Sequence, residues 1–422
     1  MRKLLKQARE VLHGAHKVYH YRRDVISESR LKELDKAVEE LSGLVKRRDS
    51  GEAARLEASI GRLDALLRKI GGKIYPKTFW SDNLEVALVA SIIVIGIRTF
   101  FFQPFIIPTN SMYPTYSGMN AMVYEADEGE PSFAAKLFNL ARLGARHRAL
   151  VAERSGDILI PVVSNSNGTG IRIYQETVKV PRGKWLILPA LMNEYRFIIG
   201  GKVQSIRVPA EFDMNQVIFG VFDRSSMELV ETKGEGTGMA LLVKNKRAVA
   251  GEDVLRFDIT LGDALFVDRF TYHFRKPKAG EPFVFKTRNI PGIDGNPNHY
   301  SDKYYIKRIG GAPGETIEIR DHGLFVNGQA RDEAKAFARN ADQEGEYDGY
   351  INVEPYNYVR HKFSGLEAGS ELTIPEGKYV ALGDNSDNSL DSRYWGYVPE
   401  KEIIGKALFI YYPFTKRWGL AE

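Results

Sequence analysis

Gly383-Asp384-Asn385-Ser386-Asp387-Asn388-Ser389-Leu390-Asp391-Ser392-Arg393-Tyr394-Trp395-Gly396 lies between two apolar runs, 379–382 and 403–412, that read as strands. Gly, Asn, Asp and Ser favour turns because short polar side chains bond to the nearby backbone. A polar run between strands is therefore usually a solvated turn. This one ends in Arg393-Tyr394-Trp395, which a turn does not require. A single arginine among three aspartates and several serine hydroxyls reads as a scaffold that orients another group.

Working outward, the same texture fills the chain from residue 103 on. Short β-rich runs at 158–163, 171–180, 241–243, 264–267, 283–286, 304–309, 316–319, 323–326, 372–374, 379–382 and 407–412 alternate with Gly, Pro and Asn. This spacing predicts a mainly antiparallel β region.

The N-terminal region reads differently. Leu31, Leu34, Val38, Leu41 and Val45 recur at three- and four-residue steps, and Leu56, Ile60, Leu63, Leu67 and Ile70 repeat the pattern after a break at 47–51. Two such helices predict an antiparallel hairpin, with 4–21 as a third helix. The seam also allows self-association through these helices. His13, His16 and His20 share a helical face, but the segment is basic, so a solvated face is the better reading than a metal site.

Between the two regions runs the apolar segment 84–102. With Glu85 and Arg98 near its ends, where charges reach the interface, it approaches the roughly 20 residues that span a bilayer. Trp80 and Phe100, Phe101 and Phe102 would mark the two interfacial levels. Arg68, Lys69, Lys73 and Lys77 precede the span, so the positive-inside rule puts the helical region in the cytoplasm. Arg98 lies on the side that this rule leaves poor in cations. A start more than eighty residues in argues against a cleaved leader.

Composition narrows the chemistry. The 422 residues are 43% hydrophobic and 27% charged with a net charge of +5, which fits a folded chain of two or three domains and gives no reason to expect nucleic acid. The chain has no cysteine. Disulfides, Cys-ligated zinc and a thiol nucleophile are thereby excluded.

Just after the apolar segment stands Pro104-Phe105-Ile106-Ile107-Pro108-Thr109-Asn110-Ser111-Met112-Tyr113-Pro114-Thr115. Pro108 and Pro114 stiffen a small polar patch, so Ser111 is a candidate nucleophile on a rigid loop at the membrane surface. A serine needs a base. In Tyr305-Ile306-Lys307-Arg308-Ile309-Gly310-Gly311, strand alternation sets Lys307 on the face of Tyr305 and Ile309. Burial lowers a lysine pKa, and a neutral amine takes a serine proton.

These pieces resemble the type I signal peptidases, membrane-bound serine/lysine proteases. The stretch 108–115 is similar to the family's serine box, 262–270 to its following strand motif, 305–315 to its lysine box and 383–399 to its Gly-Asp-Asn and Asp-Ser-Arg box. The four occur in the family's order after a membrane anchor. The resemblance implies Ser111 as nucleophile and Lys307 as general base. It implies Thr109, with the Ser111 backbone N–H, at the oxyanion. Ser389 would orient the lysine amine, Asp391 and Arg393 would pair, and Asp384 would hold the loop. Met112 and Ile107 would line the substrate pocket, and Arg308 would be structural. Family members favour small residues at the first and third positions before the cut.

Two departures stand out. Ser386 occupies a position where the family often carries Arg. About 150 residues separate Ser111 from Gly262, against the few dozen usual in the family. Within this insertion, 134–148 reads as a basic amphipathic helix and 158–243 as β-rich.

The expectation is thus a mainly β catalytic domain of antiparallel sheets, signal-peptidase-like, with an N-terminal helical hairpin and one transmembrane helix. Its parts are a cytoplasmic helical region (1–77), a span (80–103), a protease domain (104–126 and 254–422) and an inserted domain (127–253). The expected activity is removal of N-terminal signal peptides from exported preproteins, without metal or cofactor. The expected place is the bacterial inner membrane, N-terminus in the cytoplasm and catalytic domain outside, with preproteins and lipid as partners. A serine/lysine self-cleaving regulator and a tethered binding domain are the rival readings. The apolar segment and the Asp-Ser-Arg loop disfavour the first, and the paired serine and lysine boxes disfavour the second.

Overall fold

In the computed structural model the apolar spacing of the first seventy residues becomes three helices, α1 (Arg2–Arg22), α2 (Glu28–Arg47) and α3 (Ala53–Ile70). The structure describes residues 2–421 apart from 48–49, 77–78, 126–128, 130, 165–169, 185–187, 233–237, 291–292, 294–301 and 354–365. Ala15 and Val18 of α1, Leu34 and Leu41 of α2, and Leu63 and Leu67 of α3 are buried in one shared core. The expected hairpin is therefore part of a three-helix arrangement, because α1 carries an apolar face of its own.

Helix α4 (Phe79–Phe100) differs from these. Its stretch Asn83–Phe100 is apolar and not buried at any point, with the length of a membrane span. Lys17 of α1 places its amine 2.5 and 2.6 Å from the two carboxylate oxygens of Glu85, so the acidic residue of this stretch is neutralised locally. The side chain of Trp80 lies outside the described residues.

The chain divides into two compact units, Met1–Gly96 and Ile97–Glu422. The second unit is β-rich, and every strand pair among its described residues is antiparallel. Its eight-stranded sheet runs Phe102–Ile106, Ala264–Asp268, Ile403–Tyr412, Pro282–Lys286, Tyr304–Gly311, Lys378–Leu382 and Val398–Pro399, with Gly419–Leu420 paired to Ile403–Tyr412. The strands that lead into the serine loop, carry Lys307 and lead into the Gly383 loop thus belong to one sheet.

The insertion builds a second, seven-stranded sheet in the order Gln175–Lys184, Leu188–Ile199, Gly156–Ser164, Gly238–Ala248 and Met227–Thr232, with Ile171–Ile173 and Lys202–Pro209 paired at its sides. A three-stranded sheet joins Asn120–Val123, Asp253–Thr260 and Arg146–Val151. One core runs through both, taking Ile158, Phe197 and Phe212 from the insertion and Leu255 and Phe257 from the strand that follows it. The expected boundary at 253 falls on the first residue of a shared strand, and the one at 127 lies outside the described residues.

The expected helix over 134–148 is shorter. α5 (Phe133–Leu143) starts where the Ser132 hydroxyl accepts from the Ala135 N–H at 3.2 Å and stops at Gly144, whose φ of 64° suits glycine. Residues Arg146–Val151 then pair as a strand with Asp253–Thr260. Strand pairing overrides the amphipathic pattern there.

Candidate active site

The serine loop is fixed by its backbone and by buried polar groups. The Ile107 N–H donates to the Asp263 carbonyl at 2.9 Å, and the Met119 N–H to the Pro108 carbonyl at 3.1 Å. The Asp263 carboxylate, itself buried, accepts from the Ser117 N–H at 2.8 Å and from Arg417 Nε at 2.8 Å. Asn110, beside Ser111, bonds through Oδ1 to the Gly118 N–H and through Nδ2 to Asn120 Oδ1. On its far side the Ser111 carbonyl accepts from the Asn385 N–H at 3.2 Å.

Lys307 projects from strand Tyr304–Gly311, and its Nζ stands 2.5 Å from Ser111 Oγ. The lysine is 4% exposed. Burial pulls its pKa down to about 8; Asp391 and Asp384 pull it upward, and Arg393 adds to the lowering. A lysine near 8 is about one-tenth neutral at pH 7, far more than an ordinary lysine, which lets it serve as a general base. Its ammonium form also lies over the Tyr305 ring, 5.8 Å from the centroid, the shared face that strand alternation predicts.

Ser111 and Lys307 open into a groove of about 530 Å³. Thr109, Ile107, Leu265, Val284 and Ile306 line it, so its wall is largely apolar. Thr109 is exposed on the same wall as Ser111. Met112 corrects the expectation: it is fully buried in the core with Ile107 and Leu265, and the groove lining does not include it.

The Gly383 loop is held by two buried ion pairs. Arg393 binds Asp391 through Nε at 2.8 Å and Nη2 at 2.9 Å. Asp391 also accepts from the Gly383 N–H at 2.9 Å. The second pair is Arg308 with Asp384, at 2.8 and 2.6 Å, joining the lysine strand to the loop. Thr115 of the serine loop adds a 2.5 Å bond to the same carboxylate. Arg308 was expected to be structural, but its partner was not legible, because the two residues are 76 positions apart.

Ser386 replaces the family's usual Arg without leaving a gap. Its hydroxyl accepts from Arg393 Nη1 at 2.6 Å and from the Ile351 N–H at 3.0 Å, and its carbonyl accepts from Arg393 Nη2 at 2.6 Å. Ser389 is the second correction. Its buried Oγ makes no hydrogen bond, so the expected bond to Lys307 is not formed. The lysine amine is directed at Ser111, while Ser389 packs over Gly383, where an added Cβ would lie 2.1 Å from Ser389 Oγ and 2.5 Å from the Ser111 carbonyl oxygen.

Comparison with known proteins gives this geometry a context. A family model described as signal peptidase, peptidase S26, matches residues 249–412, a span that contains Lys307 and the Gly383 loop and begins after the serine loop. A signal peptidase I from Leptolyngbya laminosa is 30% identical over 199 residues, 46% of this chain and 83% of that protein. A probable signal peptidase I-1 from Synechocystis sp. is 32% identical over 158 residues, 37% of this chain and 66% of that protein. A solved signal peptidase I from Enterococcus faecalis V583 is 29% identical, with 31% of this chain and 97% of that chain covered at a TM-score of 0.22. The extent of the Leptolyngbya match shows that the chain belongs to the signal peptidase I family.

Proposed function

We propose that this chain removes N-terminal signal peptides from exported preproteins at a Ser111–Lys307 dyad. The family activity is signal-peptide removal by serine/lysine chemistry. The observation that carries the residue assignment is the 2.5 Å separation of Ser111 Oγ from a buried Lys307 amine inside an open groove. In the first step neutral Lys307 takes the Ser111 proton as Oγ attacks the scissile carbonyl. Thr109 and the Ser111 N–H stabilise the oxyanion, and such a donor is typically worth roughly 10²–10³ in rate. Lys307 returns the proton to the leaving amine, which is the mature protein's new N-terminus. It then activates the water that hydrolyses the acyl-enzyme. Asp384, Asp391, Arg393 and Arg308 hold the lysine strand and the loop in register; Ser389 packs beside them.

The unburied stretch Asn83–Phe100 supports a membrane anchor. By the positive-inside rule, residues 1–77 face the cytoplasm and the β-rich unit the opposite side. The signal peptide's apolar helix then stays in the bilayer while the segment after it binds the groove in extended form.

The test is cleavage of a preprotein in detergent by the wild-type, Ser111→Ala and Lys307→Met enzymes. Both variants should lose on the order of 10³-fold or more in kcat. Full activity in either one refutes the dyad. Orientation is tested by protease protection in sealed vesicles: a C-terminal tag should be digested from the extracytoplasmic face, and protection there refutes it.

A further inference from the structure

The insertion reaches the groove. The turn between strand Lys202–Pro209 and helix α6 (Asn215–Val221) sets Glu211 on the wall that also holds Ser111 and Lys307. This turn is rigid. The Ala210 N–H donates to the Leu191 carbonyl at 3.3 Å, Asn193 Nδ2 donates to the Ala210 carbonyl at 2.9 Å, and the Phe212 N–H donates to the Pro209 carbonyl at 3.0 Å. Phe212 and Met214, on either side of the exposed Asp213, are 2% and 1% exposed in the insertion core. The turn is also tied to the nucleophile loop. Gln216 of α6 accepts from the Ala121 N–H at 3.1 Å, and the adjacent Asn120 accepts from Asn110, the residue before Ser111.

Glu211 itself is exposed, and among the described residues its carboxylate makes no hydrogen bond or ion pair. By contrast, the buried carboxylates that support the site, Asp263, Asp384 and Asp391, are all paired to arginines. Among the described residues, Glu211 is the only carboxylate on the groove wall; Lys303 and Lys307 are the other charged side chains there. A carboxylate held on a fixed backbone, unpartnered and beside apolar surface, attracts a cation more strongly than the same group in open water.

We propose that Glu211 is a specificity residue that favours preproteins with a lysine or arginine near the cleavage site, so that the insertion adds charge selection to the protease. This rests on the groove being the site of cleavage.

The experiment uses full-length enzyme in detergent and peptides spanning one cleavage site, with Lys, Gln or Glu placed in turn at each flanking position. The readout is the ratio of kcat/KM for the Lys peptide to that for the Gln peptide. At its best position the wild-type ratio should be about 3–10 at low salt and should shrink at high salt. Glu211→Gln should bring it to about one, Glu211→Lys should bring it below one, and Glu211→Asp should retain part of it. A wild-type ratio of one at every position, a wild-type ratio kept by Glu211→Gln, or an equal drop on neutralising Lys303 overturns the proposal. Ser111→Ala, assayed on the Gln peptide, separates the two readings. If it is inactive while the ratios ignore Glu211, only the charge selection fails; if it still cleaves, both fall.

Discussion

At the scale of the residue, Lys307 decides how the site behaves with pH. Its pKa near 8 lies below the ordinary 10.5, chiefly because burial penalises the ammonium form. The neutral amine is the proposed base, so kcat/KM should rise tenfold per pH unit below about 8 and level off above it. A pH profile whose rising limb is centred well away from 8 would contradict this. The same shift affects stability. Between about 8 and 10.5 the unfolded chain holds more protons than the folded one, so stability rises with pH across that window, and the cost is fully present below 8. Lys307→Met should therefore stabilise the protein at pH 7, by on the order of 2–3 kcal/mol, with the advantage fading between about pH 8 and 10.5 and gone above it. Thermal unfolding in detergent at pH 6.5 and 10.5 measures it. Gly383 offers a second residue-scale test. Its Cβ position is 2.5 Å from the Ser111 carbonyl oxygen, so Gly383→Ala should displace the nucleophile loop, costing about 1–3 kcal/mol together with much of the activity. Ser111 and Lys307 were legible as chemistry-bearing types in constrained settings. The roles of Ser389 and Met112 were not, because they depend on which way a side chain turns once neighbouring loops have packed.

At the scale of the element, the site is a loop fastened to a strand. The Arg308–Asp384 pair ties strand Tyr304–Gly311 to the Gly383 loop, and both side chains are almost completely buried. Breaking such a pair leaves a buried charge and typically costs 3–5 kcal/mol, whereas removing both partners costs less. Arg308→Leu should thus lower the unfolding temperature more than Arg308→Leu combined with Asp384→Leu. Equal losses would show that the pair adds no such penalty. Many strands were readable from apolar runs between turn residues, but Phe102–Ile106, Asn120–Val123 and Asp253–Thr260 were not, and part of Arg146–Val151 read as helix. The end of α5 was not placed, because the amphipathic pattern continues past Gly144, where a positive φ and pairing with Asp253–Thr260 stop the helix.

At the scale of the whole molecule, the two units rest on separate cores. The helical unit buries Leu34, Leu41, Leu63 and Leu67 together. A fragment of residues 1–76 should therefore melt cooperatively by circular dichroism, and Leu41→Asp should abolish that transition by placing a charge in the core. A gradual, non-cooperative loss of helicity in the parent fragment would refute an independent core. In the second unit, the insertion shares its core with Asp253–Thr260, so it is joined to the protease by packing as well as by sequence. The sequence by itself determined most element types, the apolar segment and the serine and lysine proposed to do the chemistry, because periodicity, turn composition and local motif spacing are all short-range properties. Only the tertiary structure decided that Arg308 meets Asp384, that Ser386 completes the binding of Arg393 and that Glu211 reaches the groove. Arg308 and Asp384 lie 76 positions apart, and Ser386 is also held by the Ile351 N–H, 35 positions away; such contacts exist only once sheets and loops have closed around one another.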